Sequence, residues 1–255
     1  GNIVNVLSEK TVNLNSVSSP TDGNAQSSGI VVKATTDKTL LYYDASENYT
    51  ITSTDEYDVG NVTQQQKILA GNGSSSDRFG GDSGGKGVGI YGDYAIVGAR
   101  WEDGAKYQGG AVYVYHRSNG VWSEESRLYT SDIDDYDYIG GKLAIYGDYF
   151  IIGAAGEEHV GTSGSEHGSA YIFYRSNGSW SQQAKLYASD PTGGARFGNA
   201  LGIYGDYAIV GAYNRTGGGA AYIFLRDGTS WSQQAILTAS DADSTWGQFG
   251  LNVGI

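Results

Sequence analysis

"GIYGDYAIVGA" at Gly89–Ala99 returns unchanged at Gly202–Ala212, and "AIYGDYFIIGA" stands between the two copies at Ala144–Ala154. Gly followed by Asp between two apolar runs marks a two-residue hairpin loop, because Gly accepts the positive φ that the first position of a type II′ turn requires. The string is therefore read as two strands and a tight turn, used three times. "IYGDY" begins at Ile90, Ile145 and Ile203, intervals of 55 and 58 residues. Trp122, Trp180 and Trp231 recur in "VWSEESRL", "SWSQQAKL" and "SWSQQAIL". Phe79-Gly80, Ile139-Gly140, Phe197-Gly198 and Phe249-Gly250 mark a further recurring point. Fixed landmarks separated by loops of varying length define a structural repeat.

Within a unit the sequence predicts four strands: a short one such as "ALGIY", then "YAIVGA", "AAYIFLR" and "SWSQQAIL". "AYIFYR" alternates with the period of two that gives a strand two differently dressed faces. Ser and Gln alternate with apolar positions in the Trp strand, as in an outer strand partly in water. No stretch shows a sustained helical period. Four antiparallel strands in about 50–60 residues suit a propeller blade, whose radial packing leaves short, protected edges. The Gly after "YAIV" would let neighbouring backbones crowd together near the axis.

The expected fold is all-β, a β-propeller of four-stranded antiparallel blades, incomplete or closed by terminal strands. Clear blades span 79–137, 139–196 and 197–248, and a degenerate blade spans 29–70, with strands in "GIVVKAT", "TLLYYD", "NYTITST" and "VTQQQKIL". Residues 249–255, "FGLNVGI", read as the first strand of a further blade. Residues 1–28 form an N-terminal extension whose "NIVNVL" and "TVNLN" could close the ring. The strand at 249–255 would otherwise pair with a neighbouring molecule or with residues beyond this sequence, since unpaired edges recruit other chains.

"RFG", "IVGA", "AYIF" and "WSQQAKL", spread over Val62–Ile255, resemble the FG-GAP repeat family found in integrin α chains and many secreted proteins. The resemblance implies a propeller with an extracellular recognition or adhesion role rather than a chemistry. In integrin-type repeats the turn before the "VGA" strand is a long, Asp-rich calcium loop. Here it is shortened to Gly92-Asp93, Gly147-Asp148 and Gly205-Asp206, and two residues cannot present the six or more oxygens that calcium takes.

Composition narrows the function. Forty Gly, two Pro and 21 Tyr among 255 residues favour strands and turns over helices. A formal charge of -12 without a Lys/Arg cluster disfavours nucleic acid and anionic membranes as partners. No apolar run approaches the roughly 18 residues of a spanning helix. The chain begins at Gly1, which is read as processing or an incomplete record of a longer chain. Without Cys there are no disulfides or thiolate sites. Asn48, Asn61, Asn72, Asn177 and Asn214 each open an N-glycosylation sequon, which points to a secreted glycoprotein; the competing reading is that turn residues generate sequons by chance.

"GDSGG" at Gly81–Gly85 is similar to the nucleophile loop of trypsin-like serine proteases, but Ser83 lacks a suitably placed base. The histidines, His116, His159 and His167, all follow it, where the protease order puts His first. A Gly-rich turn is the preferred reading, and no catalytic residue is assigned. His159 and His167 in "EEHVGTSGSEHG" could gather around zinc, but a solvated loop is preferred. In "SDIDDYDYIG" the carboxylates of Asp132, Asp134 and Asp137 are calcium candidates, although the Gly and terminal Glu of an EF-hand are missing. The periodic aromatics are assigned to blade packing, with loop aromatics such as Trp101 and Trp246 left as candidates for sugar stacking. The expected function is a secreted, non-enzymatic structural or adhesive module, self-assembling by strand exchange; the alternative is a module that binds carbohydrate or protein, and a Ser83 hydrolase is the remote third. No cofactor is expected apart from calcium.

Overall fold

The Gly-Asp string folds as a hairpin in all three copies. Tyr91 pairs with Tyr94, so Gly92-Asp93 alone makes the loop. Gly92, Gly147 and Gly205 have φ of 57°, 60° and 58°, whereas the Asp after each has no positive φ, which is the type II′ combination. The computed structural model describes residues 27–32, 38–44, 48–54, 66–74, 76–81, 87–157, 167–241 and 247–255, the first three stretches as strand backbone. The expected closure strands in residues 1–26 lie outside them.

The described residues contain strands and turns and no helix, arranged as four antiparallel four-stranded sheets, each in chain order. The first comprises β1 (Ser27–Val32), β2 (Lys38–Asp44), β3 (Asn48–Thr54) and β4 (Gln66–Ile68). The second holds β5 (Val88–Tyr91), β6 (Tyr94–Ala99), β7 (Ala111–Ser118) and β8 (Val121–Leu128). The third holds β9 (Leu143–Tyr146), β10 (Tyr149–Ala154), β11 (Ser169–Ser176) and β12 (Ser179–Leu186). The fourth holds β13 (Ala200–Tyr204), β14 (Tyr207–Ala212), β15 (Ala220–Asp227) and β16 (Ser230–Leu237). The second, third and fourth sheets pack through their faces, most densely between their first strands, whereas the first sheet approaches the second through β4 and β8. The array is an open set of propeller-type blades.

The outer hairpins close with two chemistries. Asn119-Gly120 (φ 52° and 78°) and Asn177-Gly178 (51° and 79°) are type I′, whereas in the fourth sheet Gly228 alone is positive, at 61°.

Each Phe-Gly pair is a wedge between blades. A Cβ on Gly98 would lie 1.9 Å from the Gly140 carbonyl oxygen, one on Gly153 2.0 Å from that of Gly198, and one on Gly211 2.0 Å from that of Gly250. From the other side, the N–H groups of Ile139, Phe197 and Phe249 donate to the carbonyls of Gly109, His167 and Gly218 at 2.8–2.9 Å. The "VGA" Gly thus admits the next unit's backbone, which explains why both landmarks recur together. Branched and aromatic side chains fill the space between sheets: Ile96, Val114, Ile152 and Phe173 are buried in one interface, Ile151, Ile172, Val210 and Phe224 in the next.

An aromatic clasp ties the blades near the Gly-Asp turns. Arg175 pairs with Asp148 of its own turn and lies over Tyr94 of the preceding blade, 4.1 Å from the ring centroid. Trp180 meets the same Tyr94 edge-on at 5.8 Å. Arg226 and Trp231 repeat this arrangement on Tyr149. The next tyrosine in the series, Tyr207, is 47% exposed.

One expectation needs correction. Residues 249–255 do not form a first strand: Phe249 makes a single parallel bridge to Gly219, and the residues after it join no ladder. A first strand gains its ladder from the hairpin that follows it, as β13 does from β14, and this segment pairs with none of the described strands. Its docking is nevertheless repeat-like, because Ile255 lies against Gly202 as Ile145 lies against Gly89.

Candidate ligand site at the inner rim

Two kinds of polar grouping line the loop end of the blades. In the first, a fully buried tyrosine of each third strand is held against acids and a cation. The Tyr171 hydroxyl lies 2.7 Å from Glu157 and 2.9 Å from Asp132, and Lys185 binds both carboxylates. In the second sheet, Glu102 takes Arg127 at 2.7 Å, and the guanidinium reaches Tyr113. In the fourth sheet the cation has changed position. Ile236 occupies the place of Arg127 and Lys185, and Arg215 occupies that of Glu102 and Glu157. Asp190 then receives both Arg215 and the Tyr222 hydroxyl, the latter at 2.8 Å.

Each carboxylate in these clusters is held by a cation, a tyrosine hydroxyl or both. Burial raises the Tyr171 and Tyr222 hydroxyls and their carboxylate neighbours raise them further, so both stay protonated donors. Burial, then the nearby Glu102, pushes Tyr129 up to about 12. Burial alone would raise Asp132 and Asp190, but Lys185 with Tyr171 in one case, and Arg215 with Tyr222 in the other, hold them below the usual carboxylate value.

The second grouping is open. A cleft of about 450 Å³ lies at the inner ends of the third and fourth sheets. Arg100, Lys142 and Arg196 bring three cations to it, and Tyr138 and Tyr213 bring rings. Amides come from Asn199, Gln248 and Asn252, and the close Gly153–Gly198 contact forms part of the wall. None of the described lining residues is acidic, in a chain with 28 Asp and Glu against 16 Lys and Arg.

The landmarks position these side chains. Arg100 and Tyr213 directly follow "VGA"; Tyr138, Arg196 and Gln248 directly precede the Phe-Gly wedge. Tyr138 and Arg196, like Arg78 at the corresponding point of the second blade, have φ of 58°, 56° and 52°. This left-handed conformation costs a non-Gly residue roughly 1–2 kcal/mol, and it is accepted in three successive units. The Arg100 guanidinium lies over the Tyr138 ring at 4.8 Å, as Arg78 lies over Trp101 at 3.6 Å. Sequence reasoning missed the three cations, whose signal was their position beside the landmarks.

The residues singled out from sequence are dispersed. Ser83, His159, Trp246 and Asn61 lie outside the described residues. Asp132, Asp134 and Asp137 go to different partners: Asp132 to Lys185 and Tyr171, Asp134 to Lys106 at 3.0 Å, and Asp137 to the Asp134 N–H at 2.7 Å. Calcium there would have to displace both lysines. Among the described residues no three His, Asp or Glu side chains are grouped to hold a metal. His116 stacks on Tyr94 at 4.7 Å, whereas His167 is buried just ahead of β11 with its carbonyl accepting from the Phe197 N–H. Trp101 is half-buried beneath Arg78. Asn48 is on β3; Asn72, Asn177 and Asn214 are exposed.

Fold and site together define a repeat protein of propeller-type blades with an open cleft at the inner rim. The chain belongs to the FG-GAP repeat family, whose model matches residues 62–115, 122–173 and 180–224. Each matched unit joins the last strand of one sheet to the first three of the next, so every unit covalently bridges two blades. The comparison with curated proteins found no match. Among solved structures, the chain is similar to the complex structure of the fission yeast SREBP-SCAP binding domains, at 12% identity and a TM-score of 0.41, over 93% of this chain. It spans 60% of the length of that chain. Among the described residues, no helix is long and apolar enough to cross a membrane.

Proposed function

We propose that this chain is a secreted, non-enzymatic propeller module of recognition or adhesion, with its ligand seated in the inner-rim cleft. The observation that carries this reading is the open cleft itself, where the side chains of Arg100, Lys142 and Arg196, the rings of Tyr138 and Tyr213 and the amides of Asn199, Gln248 and Asn252 meet. Exposed Asn72, Asn177 and Asn214 are compatible with a glycoprotein surface. The test is capture on a defined panel of glycans and extracellular peptides, comparing the wild type with Arg196→Asn and Lys142→Gln. Capture that both substitutions weaken supports the proposal; no capture, or capture indifferent to both, overturns it.

A second reading, self-association, is favoured by the outer face of the fourth sheet. Ile209 and Ile223 are half-buried there, whereas their counterparts Ile96, Ile151, Val114 and Ile172 are fully buried between blades. A face that repeats a blade-to-blade surface is complementary to another blade of the same repeat, which a second copy can supply. Sedimentation should show concentration-dependent growth that Ile223→Lys abolishes; a monomer at every concentration overturns it.

A further inference from the structure

We infer that Tyr146 and Tyr204 form an oxidative cross-linking site, at which a peroxidase-type one-electron oxidant joins the third and fourth sheets through a carbon–carbon bond between the two phenol rings; neither the cleft nor its ligand enters this inference. The first strand of each of the last three sheets ends in the tyrosine that precedes the Gly-Asp turn, and these tyrosines, Tyr91, Tyr146 and Tyr204, touch in a row. Ring centroids are 5.2 Å apart from Tyr91 to Tyr146 and 4.6 Å apart from Tyr146 to Tyr204. The row is open to solvent: Tyr91 is 46% and Tyr204 57% exposed, and Tyr146 between them is half-buried. The adjacent Tyr204 is the main reason the Tyr146 hydroxyl is raised above its ordinary value, with desolvation and Tyr91 adding to it, so the hydroxyl ends of the closer pair are neighbours. Neighbouring hydroxyls bring the ring carbons ortho to them, the Cε positions, to the same contact. The 48° tilt between these rings is one that two directly bonded phenols accommodate.

Composition directs an oxidant to tyrosine. The sequence holds 21 Tyr and no Cys or Met, so no thiol or thioether intercepts it. The other close tyrosines are less suited to coupling. Tyr113, Tyr171 and Tyr222 are fully buried. Tyr94 and Tyr149 lie beneath the guanidinium groups of Arg175 and Arg226, whose positive charge opposes removal of an electron from the ring. Tyr107 and Tyr136 are exposed at 5.3 Å, but they meet at 82°, which sets the edge of one ring against the face of the other. In the coupling of Tyr146 with Tyr204, each phenol gives one electron and one proton to the oxidant, and the two phenoxyl radicals join at Cε. The hydrogen on each joined carbon then moves to the oxygen of its ring, which restores aromaticity. The pair loses two hydrogen atoms in all, and one hydrogen peroxide, the co-substrate of the oxidant, is reduced to two waters.

The test is treatment of the full chain, dilute enough to remain monomeric, with a haem peroxidase and hydrogen peroxide, followed by intact mass, peptide mapping and dityrosine fluorescence of the monomer. The monomer should lose the mass of two hydrogen atoms, and the map should join the peptide of Tyr146 to that of Tyr204. Tyr146→Phe keeps a ring in the row but has no phenol to oxidise, so it should abolish the fluorescence and the mass loss while the untreated variant keeps the wild-type melting temperature. Tyr107→Phe should leave both signals as in the wild type. The new bond closes a loop of 58 residues in the unfolded chain, so the cross-linked monomer should melt higher by roughly 4–16 °C. No coupling, coupling only between copies, a link mapped to any pair other than Tyr146 and Tyr204, or a monomer signal that survives Tyr146→Phe overturns the site. A cross-linked monomer that melts no higher than the untreated chain overturns its role as a tie between blades.

Discussion

Gly153→Ala should be among the most damaging single-methyl additions in this chain. The new Cβ would stand 2.0 Å from the Gly198 carbonyl oxygen and 2.9 Å from its carbonyl carbon, both rigid backbone atoms of the next unit's wedge. An ordinary carbon–oxygen contact requires more than an ångström of separation beyond this, so the third and fourth sheets would have to part. Overpacking of this kind costs roughly 1–3 kcal/mol and more where the obstacle cannot turn aside; about 3 kcal/mol is expected. Gly178→Ala is the matched comparison. Gly178 has a φ of 79° and nothing within 4 Å of its Cβ position, so it pays only the left-handed backbone term, about 1 kcal/mol. In a chain of this size, 1 kcal/mol moves the melting temperature by roughly 2–4 °C. Gly153→Ala should therefore melt about 6–12 °C lower than the wild type, and Gly178→Ala about 2–4 °C lower. Thermal unfolding followed by tryptophan fluorescence reads both. A Gly153→Ala protein no less stable than Gly178→Ala would refute the wedge as the reason for the "VGA" glycine.

Burial is the main reason Asp137 is raised to about 7, with Glu157 and its neighbouring aspartates adding to it against the Asp134 N–H. The folded chain binds that proton more tightly than the unfolded chain, so this contribution is complete below the unfolded value of 3.8 and is lost as pH rises through 7. Asp137→Asn should remove that slope, leaving the variant relatively more stable at pH 8 than at pH 5; parallel melting curves for the two proteins across that window would contradict it. Lys185→Met strands Glu157 beside Asp132 and should cost about 2 kcal/mol, most of it recovered by adding Glu157→Gln; an additive double variant would show that the two groups do not act as a pair. A serine-directed fluorophosphonate should leave the chain unlabelled, and labelling that Ser83→Ala abolishes would reinstate the hydrolase.

The hairpins were legible because a local rule determines them. "YAIVGA", "ALGIY" and "SWSQQAIL" coincide with β6, β13 and β16, since a turn that requires Gly and strands that alternate leave little freedom. Asn177 shows how one residue carries two signals. It opens a sequon, and it also sits at a φ of 51° in the first central position of a type I′ turn, where Asn is favoured whether or not a glycan follows. Asn119 occupies the equivalent turn without a sequon, so the turn alone accounts for the residue. The ionic clusters were not legible because their partners lie in separate loops and strands. No local window links Lys185 to Asp132, and the fourth blade supplies its cation from Arg215, in the position of an acid. Single-position periodicity misses a pairing whose members change places between units.

That exchange separates what the repeat must preserve from what it can vary. Gly98, Gly153 and Gly211 are unchanged because the wedge meets backbone, which has no alternative shape. The buried tyrosines Tyr113, Tyr171 and Tyr222 are likewise fixed, while the charges around them redistribute because what matters is a charged partner within reach of the hydroxyl. The positions before each wedge and after each "VGA" vary in side chain from unit to unit, and three of the former, Arg78, Tyr138 and Arg196, share the left-handed backbone. They accept Arg, Tyr or Gln in the one case and Arg, Ala or Tyr in the other. A position whose side chain varies from unit to unit can acquire a binding group without disturbing the blade. Such positions are where Arg100 and Arg196 stand.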